Sequence, residues 1–147
     1  MPTTQPRNVR LSKSVIDRLE RRAARDPGLK SATLAALMID EGLRMEEHPG
    51  IVFREGPTGR RAVVIGSGDV WEVIRAIRSA RIHEPELDED SIVDLVSTNT
   101  GMSQRHVRTA IAYWSSYPAE VESRISQAEL VEEEAAAEHI RAHELLS

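Results

Sequence analysis

The sequence predicts a mainly α-helical protein in two parts, the second of which contains one small β-hairpin. Apolar residues recur at helical spacing along most of the 147 residues, whereas the alternation that a strand requires is confined to short stretches. Two runs rich in Val and Ile flank a Gly-Pro-Thr-Gly turn at residues 56–59. The helical pattern is interrupted at residues 48–50 (His-Pro-Gly), which we expect to be the boundary between the two parts.

The composition is that of an ordinary soluble protein and excludes several kinds of site. Apolar residues make up 40% and charged residues 29%, and the lack of cysteine excludes disulfides, thiolate zinc sites and a cysteine nucleophile. The N-terminus has no apolar signal region, and no apolar run approaches the ~20 residues of a membrane span. We therefore expect a cytoplasmic protein that has no membrane attachment, no cofactor and no metal site.

The net charge of −5 conceals a gradient along the chain. Residues 1–44 have nine basic and five acidic residues and carry +4, and residues 45–81 have six and five and carry +1. Residues 82–147 have four and fourteen and carry −10. A basic beginning and an acidic end are typical of a protein with two kinds of partner.

Polar and apolar side chains alternate along residues 7–12, as they do in a β-strand with one buried face. Val9 and Leu11 lie on one face of the predicted strand, and Asn8 and Arg10 lie on the other. The apolar face suits a protein core, which leaves Asn8 and Arg10 available to another molecule.

Two predicted helices follow this strand, and the three elements together are too small to bury a core alone. Ser12 can cap a helix that begins at Lys13, and the Asp-Pro-Gly sequence at residues 26–28 ends it. A second helix is predicted over residues 31–45. Because two copies could pair their strands into a ribbon, the sequence predicts a homodimer or a higher even oligomer.

The second part is predicted to continue with a hairpin over residues 51–65 and three short helices. Asp69, with Glu72 three residues later, has the spacing of a capping box at the start of the first helix. Residues 83–90 form an acidic connection to the next helix, and Ser103 caps the last of the three.

A helix over residues 91–97, a turn containing Gly101 and the following helix have helix-turn-helix spacing, and the order of hairpin and helices is winged-helix-like. Gln104, Arg105 and Arg108 would be exposed on the second helix of this pair. They are a candidate second DNA site or partner site. A packing role is the alternative, because the acidic helix that follows would repel phosphate.

From residue 119 onward the chain is predicted to form one long helix rich in Ala and Glu. Its apolar positions make only a thin stripe, and such a helix is usually stabilised by lying on a partner. The predicted domains are residues 1–46, residues 50–118 and an acidic helical tail at residues 119–147.

Three motifs in the first part carry a family resemblance: Val9-Arg10-Leu11-Ser12, Asp26-Pro27-Gly28-Leu29-Lys30-Ser31 and Met38-Ile39-Asp40-Glu41-Gly42-Leu43. Through them, roughly residues 5–45 resemble the ribbon-helix-helix repressors, the Arc-, MetJ- and CopG-like proteins. The resemblance implies an intertwined dimer that places a two-stranded ribbon in the major groove of operator DNA. Asn8 and Arg10 would be the base contacts, since Asn can bind adenine N6/N7 and Arg can bind guanine O6/N7.

The same resemblance implies phosphate contacts at the start of the second helix, where free amides and the helix dipole favour an anion. Lys30 and Ser31 occupy that position, and Lys13 is a further candidate phosphate contact. Pro6 stands where a third base contact could lie, but it offers neither an amide donor nor a polar side chain.

Four motifs in the second part carry another resemblance: His48-Pro49-Gly50-Ile51, Gly59-Arg60-Arg61-Ala62, Asp69-Val70-Trp71-Glu72-Val73 and Val107-Arg108-Thr109-Ala110-Ile111-Ala112-Tyr113-Trp114. Over about residues 48–125 the chain resembles a small domain of VapB-type antitoxins. The resemblance implies a PIN-like ribonuclease toxin as partner, with the acidic helix wrapped around it. Arg124 and Arg141 are the candidate toxin contacts, because an acidic active site would favour a cation.

The sequence therefore predicts a sequence-specific DNA-binding repressor, an antitoxin that autoregulates its operon and neutralises a ribonuclease toxin. Two alternatives stay open. One is a stand-alone regulator or DNA-organising protein without a toxin, and the other is a protein-interaction module whose ribbon serves only dimerisation. An enzyme is not expected, because the sequence shows no nucleophile and base in a supporting context.

Overall fold

The computed structural model describes residues 3–147. Within that range it contains six α-helices and one two-stranded antiparallel sheet, which confirms the predicted mainly α-helical fold class with a small hairpin. The elements in order are α1 (Lys13–Ala23), α2 (Ser31–Glu47), β1 (Ile51–Gly56), β2 (Gly59–Val64), α3 (Val70–His83), α4 (Glu89–Thr100), α5 (Gln104–Ser116) and α6 (Pro118–Leu146). The chain divides into two compact units, one ending at Leu43 and one beginning at Arg44, so the division falls inside α2.

The first unit contains α1 and most of α2. The Ser12 hydroxyl accepts a hydrogen bond from the Val15 amide at 3.3 Å, so α1 is capped as predicted. Gly28, at φ +84°, allows the turn before α2 a backbone conformation that other residues rarely adopt. Residues 3–12 have neither helix nor strand in the single chain. Because a strand needs a hydrogen-bonded neighbour, the strand at residues 7–12 stays a prediction.

The hairpin at the start of the second unit has the predicted position. β1 and β2 pair from Ile51 opposite Val64 to the two glycines on either side of a Pro-Thr turn. Ile51 and Val64 are buried, which places one end of the hairpin in the core. The turn at the other end has only two residues, so it fixes the register of the strands.

The start of α3 differs from the predicted capping box. Asp69 occupies the N-cap position, but its side chain accepts no hydrogen bond from the helix amides. Its carboxylate accepts instead from Arg61 Nε on β2, at 2.5 Å, and from Trp71 Nε1, at 3.0 Å. The capping-box prediction was wrong because it considered only local partners, whereas the guanidinium offers a stronger, charge-assisted hydrogen bond.

The acidic connection before α4 is shorter than predicted and comprises residues 84–88, because α3 extends to His83 and α4 begins at Glu89. The Asp88 carboxylate accepts a hydrogen bond from the Ser91 amide at 2.8 Å and caps the helix two residues before the predicted start. This hydrogen bond lowers the pKa of Asp88 below its ordinary value. Gly101 ends α4 at φ +74°, and Ser103 caps α5 as predicted.

The core of the second unit is aliphatic apart from one aromatic side chain, and it draws on the hairpin and all four helices of this unit. Tyr113 is fully buried, whereas Ile111 and Trp114, the other large apolar residues in this part of α5, are only partly buried. The sequence alone does not predict that Tyr113 is buried, because burial of a hydroxyl depends on partners that come from elsewhere in the fold.

The two halves of α6 have different surroundings. Val121 and Ile125 are buried in the core, so the acidic segment begins as part of the second unit. From residue 129 to residue 147 every side chain is exposed except that of Ala137, which is partly exposed. We call residues 129–146 the distal α6. Throughout the described range, the helices lack an apolar stretch of the length needed to cross a membrane.

Candidate nucleic-acid and partner surfaces

The polar residues predicted to contact bases are open to solvent. Asn8 and Arg10 are exposed, and so are the apolar residues that alternate with them, Val9 at 58% and Leu11 at 40%. Neither face of this segment is therefore covered in a single chain. Its uncovered apolar side chains and unpaired backbone groups are suited to a second strand.

The predicted phosphate contacts lie where the first two helices begin. Ser31 is the first residue of α2 and Lys30 precedes it, and both are exposed. The amides of a first helical turn have no partners within the helix, so they favour an anion. Lys13 is the first residue of α1, and its side chain is 92% exposed at 4.0 Å from the Asp17 carboxylate, which leaves the ammonium accessible to a phosphate.

The first unit also leaves large apolar side chains uncovered on its helices. Ile16 on α1 is 41% exposed, and Ile39 and Leu43 on α2 are 53% and 54% exposed. Only one apolar side chain of α1, Ala23, and one of α2, Leu34, are buried. A small unit with this much exposed apolar surface is typical of a protein that associates with a partner.

The chain matched no family model, no curated protein and no solved structure. The roles of its surfaces are therefore inferred from their own residues, charges and contacts.

The residues predicted to contact DNA from α5 are held by acidic residues of α4. Gln104 Nε2 donates to the Asp94 carboxylate at 3.0 Å, and Arg108 Nη2 donates to the Asp90 carboxylate at 2.6 Å. Arg105, between them in the sequence, is exposed. The two contacts join the helices to each other, and their carboxylates oppose the approach of a phosphate.

The two arginines predicted to contact a toxin have different surroundings. Arg124 Nη1 donates to the Thr58 carbonyl at 2.7 Å and Nη2 donates to the Arg60 carbonyl, so this side chain holds the hairpin turn against α6. No local sequence pattern indicates this structural role. Arg141 lies on the distal α6, where it is exposed and accessible to a partner.

A polar cluster that the sequence pattern did not predict holds the last turn of α2 within the second unit. Arg44 Nη1 donates to Glu120 at 2.8 Å and to the Tyr113 hydroxyl at 3.0 Å, and its guanidinium lies 4.1 Å from the Tyr117 ring centroid. The Tyr113 hydroxyl donates to Glu120 at 2.5 Å. Burial, with a contribution from the Glu120 carboxylate, raises the pKa of Tyr113 above its ordinary value. No local pattern could reveal this cluster, because Tyr113 and Glu120 follow Arg44 by 69 and 76 residues.

Residues that could hold a metal ion are sparse. His139 and His143 lie four residues apart on α6, the spacing of two zinc ligands on one helix, and both are exposed. Within residues 3–147 no group of three or more potential ligands occurs, so this pair has no third ligand beside it.

Proposed function

We propose that this chain is a ribbon-helix-helix repressor, a homodimer that binds operator DNA with sequence specificity through residues 1–46. The observation that carries the proposal is the exposed apolar surface of the first unit, on the N-terminal segment and on both of its helices. Two copies that pair their segments as antiparallel strands would cover Val9 and Leu11. The pairing would supply the core that this small unit lacks.

In this proposal the polar face of the ribbon contacts DNA. Asn8 and Arg10 would lie on the outer face, and a two-stranded ribbon fits the major groove, where both residue types can make two hydrogen bonds to a base. Lys13, Lys30 and Ser31 would hold the flanking phosphates and fix the register of the protein on the duplex. The net charge of +4 on residues 1–44 favours this partner.

A salt titration tests the proposal on the DNA upstream of the coding region, with a random duplex of equal length as control. We expect tight binding to the upstream duplex alone, weakening steeply with salt because the bound phosphates release counterions. Equal binding to both duplexes would favour a DNA-organising protein. No binding to either would favour a protein-interaction module.

A second proposed role is that of an antitoxin, which the distal α6 favours. This segment is a continuous exposed helix with six glutamates and one arginine. Such a helix gains stability on a basic surface, such as the RNA-binding face of a PIN-like ribonuclease. Arg141 is the cation that this segment offers to an acidic active site, since Arg124 is engaged with the hairpin.

Co-expression with the product of the neighbouring reading frame tests the antitoxin role. We expect the full chain to relieve growth arrest caused by that product, and a variant with Glu134→Gln and Glu138→Gln to relieve it less. The matched control is Glu84→Gln with Glu86→Gln, two exposed acidic residues outside α6. A neighbouring product that does not arrest growth would favour the stand-alone regulator.

The α4–α5 pair has a smaller part in the proposal. Its order after the hairpin is compatible with a winged-helix-like domain, but Asp90 and Asp94 lie against the polar residues that would face DNA. We therefore assign Arg105 and its neighbours to partner binding or packing rather than to a second DNA contact.

A further inference from the structure

We propose that the groove between α3, α4 and α5 binds the last turn of α6 from a second copy of this chain. The groove is open and has a volume of about 570 Å³. Its apolar lining includes Ile82, Ile92 and Ile111, one from each of the three helices. This contact is separate from the pairing of the first units and does not depend on DNA binding.

The most exposed large apolar side chains of residues 3–147 lie at these two places. Leu146 and Leu145, in the last turn of α6, are 87% and 85% exposed, and Ile82 at the groove is 76% exposed. The other exposed large apolar side chains are at most 58% exposed. Docking the leucines in the groove would remove all three side chains from water in one contact.

Charge complements this apolar match. The distal α6 carries six glutamates and one arginine, whereas the groove is lined by three arginines and one glutamate. Arg78 and Arg108 are already paired with carboxylates of their own chain. Arg81 donates to the Leu87 carbonyl at 2.6 Å and its charge acts on the exposed Asp88 carboxylate, where an incoming acidic helix can compete for it.

The occupant must come from another copy, because α6 leads away from the groove of its own chain. Glu122, early in α6, pairs with Arg78, whereas Glu132, ten residues later, pairs with Arg75 at 2.7 Å, nearer the start of α3. The two helices therefore run antiparallel, and the groove lies at the end of α3 that α6 passes first. The last turn of α6 lies about 20 Å further along its axis, at 1.5 Å per residue.

Disulfide trapping tests the contact, since the chain has no cysteine of its own. Full-length proteins carrying Ile82→Cys or Leu145→Cys, one of them isotopically labelled because the two variants have the same mass, are mixed in equal amounts and oxidised mildly, and the linked products are distinguished by mass. We expect a linked pair with one copy of each to form several-fold faster than in a mixture of Ile65→Cys and Leu145→Cys. Ile65 is a matched control, because it is 53% exposed and lies outside the groove.

Sedimentation equilibrium of full-length variants gives a second readout. We expect Leu145→Glu with Leu146→Glu, and separately Ile82→Glu, to lower the assembly state while discrimination between operator and random DNA persists. Ile65→Glu should change neither quantity. Equal trapping at Ile65 and Ile82, or an assembly state that the leucine variants leave unchanged, would overturn the proposal and leave the groove to an acidic helix of a different protein.

Discussion

Arg10 is the residue on which base recognition depends most in the proposed repressor. Arg10→Ala should weaken binding to the operator by about 1–3 kcal/mol and relax the preference at one base pair, because a two-bond contact to guanine is lost. Fluorescence anisotropy with operator and random duplexes measures both effects.

Arg18→Ala is the matched control for this prediction, since it removes the same charge from an exposed position on α1. It should reduce affinity slightly and equally for both duplexes, through the loss of general attraction to phosphate. If Arg10→Ala behaved in the same way, its side chain would be a phosphate contact and not a base contact.

The Tyr113 hydroxyl and ring make separable contributions to stability. Tyr113→Phe keeps the buried ring and the Arg44–Glu120 ion pair but removes the hydroxyl, so it should cost about 1 kcal/mol in the free energy of unfolding. Tyr113→Ala should cost about 3–5 kcal/mol, because it also leaves a cavity in the core. Urea denaturation measures both values, and equal losses would contradict a dominant role for the ring.

At the scale of the element, α6 is attached to the second unit by its first half only. Ile125 is 4% exposed in the core, whereas Val131, six residues later on the same helix, is 57% exposed. Ile125→Ala should cost about 2–5 kcal/mol, and Val131→Ala should stay within about 0.5 kcal/mol of the parent. Thermal unfolding of the two variants measures the difference, and a comparable loss at Val131 would indicate that the distal half packs against something in solution.

Glu122 links α6 to two other helices, and this link predicts a pH dependence. Hydrogen bonds from Arg78 on α3 and then from Trp114 Nε1 on α5 lower the pKa of Glu122 below its ordinary value of 4.5. Because the pKa is lower in the folded chain than in the unfolded chain, the stabilisation is complete above about pH 4.5. It is lost as the pH falls through the lowered value.

Glu122→Gln should therefore lower the free energy of unfolding at neutral pH and make it less dependent on pH below 4.5. The change at neutral pH should be under about 1 kcal/mol, because the side chain is 39% exposed and water screens the pair. Glu133→Gln, on the distal α6, is the control and should leave the pH profile unchanged. If the free energy of unfolding of the Glu122→Gln protein depended on pH below 4.5 as strongly as that of the parent, the prediction would be wrong.

The elements that the sequence predicts well are those whose signals are local. Ser12 and Ser103 cap their helices through amides three residues away, and the short turn alone fixes the position of the hairpin. Asp69 has the same kind of local signal, yet its carboxylate accepts a hydrogen bond from Arg61 on β2 instead of from the helix amides. A sequence pattern predicts which residues can cap a helix, whereas the fold decides which other donors compete for them.

For the molecule as a whole, truncation tests whether DNA binding and toxin binding belong to separate segments of the chain. Removing residues 134–147 should leave the fold and DNA binding intact, because these residues are exposed apart from Ala137, while neutralisation of a toxin should be lost. Circular dichroism, DNA titration and the growth assay measure the three properties. Removal from residue 119, where the sequence placed the tail, should instead unfold the second unit, since Val121 and Ile125 would be lost.

The candidate surfaces could be predicted from the sequence only in part. The exposure of Asn8, Arg10, Lys30 and Ser31 follows from alternation and from a helix start, which are local features. The structural engagement of Arg124, by contrast, depends on a turn 66 residues earlier. The groove beside Ile82 is formed by α3, α4 and α5 together. Because it depends on how the three helices pack, the sequence pattern of each helix does not predict it.

The exposed second half of α6 should make the chain sensitive to proteolysis at that segment. A helical segment that is exposed in its own chain frays and opens readily whenever no partner covers it, so a protease should cut there long before it cuts the packed units. Limited proteolysis should then yield a stable fragment that ends in the middle of α6. Such a fragment would still carry the DNA-binding unit but not the partner-binding segment. An intact molecule could therefore perform both proposed functions, whereas a cleaved one could bind operator DNA but not a toxin.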